Sequence, residues 1–75
     1  MDKTLEKVKS ILSENLGISK ETITENSKLS DDLYMDSLDL VEITVLLEEN
    51  FGKDIPDAAM EKFITVKDII NYLQK

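Results

Sequence analysis

Apolar residues recur at helical spacing near both ends of this chain, and nowhere does the two-residue alternation of a half-buried strand persist. From Asp2 to Leu16, the residues Leu5, Val8, Ile11, Leu12 and Leu16 share one side of a helix that Gly17 is suited to stop. Toward the other end, Val66, Ile69, Ile70 and Leu73 repeat the i, i+3, i+4, i+7 pattern. There Thr65 is placed as N-cap, Asp68 at the third helical position and Tyr72 at the margin of the buried face. A further helix is expected from Ser37 to about Asn50, with Leu40, Ile43, Leu47 and Phe51 on a core-facing arc and Leu46 at its edge. Gly52 ends it, Ile55-Pro56-Asp57 makes a turn, and Ala58 to Lys62 has room only for a short helix, with Ile55, Met60 and Phe63 facing inward. The stretch from Gly17 to Met35 has no sustained period. A loop of that length needs pinning, and Ile18, Ile23, Leu29 and Leu33 are the expected anchors, with a helical turn starting at Ser30-Asp31-Asp32. The 75 residues support one small core, so the expected fold is an all-α four-helix bundle, three main helices plus one short, forming a single domain over residues 1–75.

The chain has no Cys and no His. Thiol nucleophiles, imidazole bases, disulfides and Cys/His zinc sites are therefore excluded, and no serine here has a partner for a Ser-His-Asp triad. An unassisted serine hydroxyl is a weak nucleophile, so chemistry at a serine of this chain has to be driven by a separate enzyme. No enzymatic activity is expected of the chain itself.

The formal net charge of −7 is unevenly spread. Residues 31–61 hold ten of the sixteen acidic residues and one lysine, whereas residues 1–30 are balanced at five of each sign. Such a surface disfavours binding to nucleic-acid phosphates and to anionic membranes, and it favours partners with basic surfaces. No signal-peptide pattern or long apolar run occurs, so a soluble, cytoplasmic, monomeric protein without stable membrane insertion is expected. The acids at 31, 32, 36 and 39, and those at 48, 49, 54 and 57, lack the spacing and glycine of a calcium-binding loop. They read as sites of charge relief, and no structural metal site is expected.

At the centre of the acidic segment lies Asp36-Ser37-Leu38. With Asp36 as N-cap, its carboxylate accepts backbone N–H bonds of the first turn, Asp39 falls at the third position, and Ser37 falls at the first with its hydroxyl toward solvent. A phosphodiester at that oxygen would meet unpaired N–H groups and the positive end of the helix. Taken alone, the same residues also suit Ser37 as the N-cap itself. Beyond it, Leu38, Val41 and Val45 project away from the core-facing arc, interleaved with Asp39, Glu42 and Glu49. An acidic helix with a second apolar strip has the make-up of a docking surface, in which aliphatics supply grip and acids supply orientation.

The run Asp36-Ser37-Leu38-Asp39-Leu40-Val41-Glu42, followed by Leu47-Glu48-Glu49-Asn50-Phe51-Gly52 and Ile55-Pro56-Asp57, resembles the acyl carrier protein family, the stand-alone phosphopantetheine-dependent carriers. The likeness covers nearly the whole chain and is densest from Asp36 to Tyr72. It implies that Ser37, beside Asp36, carries 4′-phosphopantetheine taken from coenzyme A, and that acyl chains are held as thioesters on that arm and shuttled between fatty acid synthesis enzymes. It also implies that a phosphopantetheinyl transferase and those enzymes recognise the helix after Ser37. Polyketide or aminoacyl carriers share the fold, and an unmodified acidic adaptor is the alternative from another class. In the family, acyl chains can slip between the helices; here Leu47, Ile55, Met60, Phe63 and Ile70 are the candidates to line such a pocket. Three departures stand out: Tyr34-Met35 where members usually have glycine and a small residue, Leu40 for a polar residue, and Ala58-Ala59 for an acidic pair.

The charge excess carries a first expectation. Added magnesium or moderate salt will raise the melting temperature by screening like charges, and thermal melts across a salt series check it.

Overall fold

The computed structural model describes residues 3–74, which leaves the expected helix start at Asp2 outside the described residues. Among the described residues four helices form in order: α1 (Lys3–Leu16), α2 (Ser37–Phe51), α3 (Asp57–Met60) and α4 (Val66–Leu73). A single 3-10 turn, Lys20–Thr22, follows α1, capped by Ser19, whose hydroxyl accepts from Glu21 N–H at 3.2 Å. The sequence pattern does not predict this turn, because three polar residues carry no apolar period. Helix α3 is shorter than expected and begins one residue earlier, behind Pro56, which has no side-chain cap to offer.

Helix α1 packs against both α2 and α4, and α3 closes on α2. The core between them holds Val8, Ile11 and Leu12 of α1, Ile43 and Leu47 of α2, and Val66, Ile69 and Ile70 of α4. On α2, Leu40 and Phe51 reach this core only half-buried, and Leu46 lies at its edge. Thr44, which no apolar pattern identifies, is buried as well. It is accommodated because its hydroxyl donates to Leu40 O at 2.7 Å, one helical turn back.

Both long interhelix connections are held by specific bonds. Gly17 and Gly52 stop their helices in the left-handed conformation (φ 68° and 61°), where a side chain would be strained. After Gly52, the Glu48 carboxylate accepts the Ile55 N–H at 2.8 Å, and Tyr72 donates to Asp54 O at 3.0 Å while its ring meets Phe63 edge-on at 5.8 Å. The long loop buries Ile23, Leu29 and Leu33 as expected, with Ile18 half-buried. It is also tied by its backbone. Lys28 and Thr65 form an isolated antiparallel bridge, with Leu29 N–H donating to Ile64 O (2.9 Å) and Val66 N–H to Ser27 O (3.0 Å). At Ser30-Asp31-Asp32 the expected helical turn forms as a single turn before Leu33, with Asp32 N–H donating to Lys28 O at 2.9 Å and Lys28 N–H donating to the Asp32 carboxylate at 2.7 Å.

Helix α4 starts with a reciprocal cap: Asp68 N–H donates to Thr65 Oγ1 at 3.3 Å, and the Asp68 carboxylate accepts Thr65 N–H at 3.0 Å and Ile64 N–H at 2.9 Å. The backbone bonds from Thr65 and then Ile64, with a smaller part from the Thr65 hydroxyl, hold the Asp68 carboxyl below the usual carboxylate range, against a small opposing effect of burial. A lowered folded-state value means that the bonds stabilise the fold above the ordinary Asp value of about 3.9 and that this is lost as pH falls through the depressed one. Unfolding titrations from pH 7 to the acid limb will show Asp68→Asn less stable than the parent near neutrality, with the gap shrinking below about pH 4.

Candidate functional site

The start of α2 is built by the two aspartates around Ser37. Asp36 is in extended backbone and its carboxylate accepts Asp39 N–H at 2.9 Å, while the Asp39 carboxylate accepts Asp36 N–H at 3.2 Å. This closes a capping box and settles the choice left open by the sequence: Asp36 is the N-cap and Ser37 is the first helical residue. Among the described residues Ser37 is exposed and its hydroxyl has no hydrogen-bond partner. Its N–H and that of Leu38 precede the first intrahelical bond, Leu40 N–H to Asp36 O at 3.1 Å, and no side chain takes them.

Beside Ser37 opens a cleft of about 240 Å³, formed by the loop at Leu29, Ser30 and Asp31, by Met35 and Leu40, and by Phe63-Ile64 across from them. Leu29, Met35 and Phe63 are its buried floor, and Ile64 stands at its rim 64 % exposed. Of the five residues expected to line an acyl pocket, only Phe63 reaches this cleft. Leu47, Ile55 and Ile70 are closed into the core and Met60 is half-buried at the end of α3. Met35 and Leu40, two of the residues that depart from the family pattern, line it instead. That substitution of roles is legible in the sequence only as two unexpectedly apolar side chains flanking the serine.

The outer face of α2 presents Leu38 (78 % exposed), Val41 and Val45, with Glu42 and Glu49 also exposed. Asp39 shares this end of the helix, half-buried, and one of its oxygens is committed to the cap. Among the described residues no three acidic side chains converge as a metal ion would require. No helix among them is long and apolar enough to cross a membrane.

A phosphate ester needs an accessible hydroxyl, unpaired N–H groups and room alongside, and all three meet at Ser37; the residues present fit a 4′-phosphopantetheine arm. The chain matches the family described as "Phosphopantetheine attachment site" over residues 6–73. It is 51 % identical over 69 residues to an acyl carrier protein of Thermotoga maritima, covering 92 % of this chain and 85 % of that one. It is 43 % identical over 75 residues to an acyl carrier protein of Zymomonas mobilis, covering 100 % and 96 %. The chain therefore belongs to the acyl carrier proteins of the phosphopantetheine-attachment family. It is a carrier and not a catalyst; its prosthetic group is 4′-phosphopantetheine, and its role is to bring acyl groups to the enzymes of fatty acid synthesis.

The capping box sets a measurable cost. Asp36→Ala will lower stability by about 1 kcal/mol in denaturant titrations, whereas Asp36→Asn, which keeps an acceptor, will lose a few tenths.

Proposed function

We propose that Ser37 is the attachment serine of this carrier, and that residues 1–75 act as one monomeric domain in the cytoplasm. The observation that carries the reading is the unpaired, exposed Ser37 hydroxyl at the first position of a helix whose cap is supplied by its neighbour. Because Asp36 satisfies the Asp39 N–H, nothing in the fold requires the serine oxygen, and it is available to a transferase. In the transfer, Ser37 Oγ bonds to the pantetheine-side phosphorus of the coenzyme A pyrophosphate, the P–O bond to the adenosine-side phosphate breaks so that the nucleotide bisphosphate departs, and the serine proton passes to a base of the transferase. The arm's thiol supplies the thioester chemistry that a chain without cysteine lacks.

The same arrangement accounts for partner choice. An enzyme must approach Ser37 across the surface that carries Leu38, Asp39, Val41, Glu42, Val45 and Glu49, so that a basic rim meets the carboxylates and an apolar centre meets the aliphatics. The phosphopantetheinyl transferase and the fatty acid synthesis enzymes share this approach.

Incubating the protein with coenzyme A and a phosphopantetheinyl transferase, followed by intact mass and peptide mapping, tests the assignment. The wild-type chain gains one arm at Ser37, and Ser37→Ala gains none while keeping its helical circular dichroism. An unmodified wild-type chain that still binds basic partners would instead identify an adaptor.

A further inference from the structure

Tyr34 is the one non-glycine residue among the described residues with a positive φ (58°), and 85 % of its surface is exposed. A bulky side chain rarely occupies this region of backbone space, and here the strain is not offset by packing. Among the described residues the ring does not line the cleft and makes no aromatic or cation–π contact, whereas Tyr72 makes one of each, to Phe63 and Lys53. It stands three residues before Ser37, close in the chain to the exposed Asp31, Asp32 and Asp36 and to the highly exposed Leu38. A local rule broken without internal gain, at the edge of a site, marks a residue whose contacts are made with something else.

We infer that Tyr34 is a contact residue for the enzymes that act at Ser37, its ring receiving a cationic side chain of the partner. The charge of the segment selects the occupant: with ten acids and one lysine between residues 31 and 61, the complementary surface is basic, and arginine or lysine prefers the face of an aromatic ring. The carboxylates draw the cation in over a distance, and the ring fixes it at short range, next to the hydroxyl that reacts. The inference rests on the reading of Ser37 as the attachment site.

The test uses the full unmodified chain with a phosphopantetheinyl transferase, in two measurements: KM and kcat at saturating coenzyme A, and direct titration of the complex without coenzyme A. Tyr34→Leu and Tyr34→Asn are expected to raise both KM and Kd about fivefold or more, with kcat unchanged. Tyr34→Phe, which keeps the ring, stays within about twofold of wild type in both. Melting curves for the three variants establish that each is folded, and Asn in addition tolerates the left-handed backbone. Leu and Asn variants that bind like wild type, or a Phe variant as weak as Leu, would overturn the inference. Failure of the attachment reading looks different: the wild-type protein itself would gain no arm at Ser37.

Discussion

Backbone N–H groups at helix starts and in the long loop have to be satisfied in a protein too small to bury them under other elements, and beside the backbone carbonyls a set of carboxylates supplies acceptors at both helix starts and in the connections. Asp36 and Asp39 close the start of α2, Asp68 closes the start of α4, Asp32 holds Lys28 N–H, and Glu48 holds Ile55 N–H. The acidity of the region around Ser37 thus has two components. Some acids brace the backbone, and others, including Asp31, Glu42 and Glu49, face outward and dominate the local surface field. Composition alone makes the two kinds indistinguishable; only the hydrogen bonds separate them.

The helices were legible because apolar spacing and capping chemistry agree. Thr65 with Asp68, and Asp36 with Asp39, stand at the separation a capping box needs, and both boxes form. The outer strip of α2 was legible for the same reason: a helix that carries aliphatics on two sides can bury only one of them, and Leu38, Val41 and Val45 are the exposed set. What was not legible lies in contacts that leave no side-chain period. The bridge between Lys28 and Thr65 is made by backbone atoms of two loops that are distant in sequence, so neither segment has strand alternation. The burial of Thr44 depends on a local bond to Leu40 O, which its polar type conceals.

The position of the cleft follows from that bridge. By tying Ser27 and Leu29 to Ile64 and Val66, it brings the loop alongside the connection into α4, and the space left between them and α2 opens next to Ser37. The residues expected to form a pocket come from α2, α3, α4 and the connections between them, and in a small bundle three of them, Leu47, Ile55 and Ile70, are consumed by the core. The cleft instead takes its walls from Met35 and Leu40, whose apolar character is surplus to the helix pattern. Excess apolar residues beside Ser37 were therefore the available signal, and their meaning depended on a backbone pairing that sequence does not display.

The division of labour between Asp36 and Ser37 explains why a serine can be exposed at the start of a helix without weakening it. An N-cap side chain has to turn back toward the first turn to accept an N–H, which ties up its oxygen; a side chain one position later has no such duty. Had Ser37 been the cap, a group attached at its hydroxyl would have placed its bulk on the same oxygen that holds the first turn of α2. With Asp36 accepting Asp39 N–H and Asp39 returning the bond, the helix start is complete without the serine oxygen. On the proposal that Ser37 bears the arm, modification and folding are uncoupled at this residue, which is the condition a carrier needs if its surface is to remain the same to an enzyme that adds the arm and to those that use it.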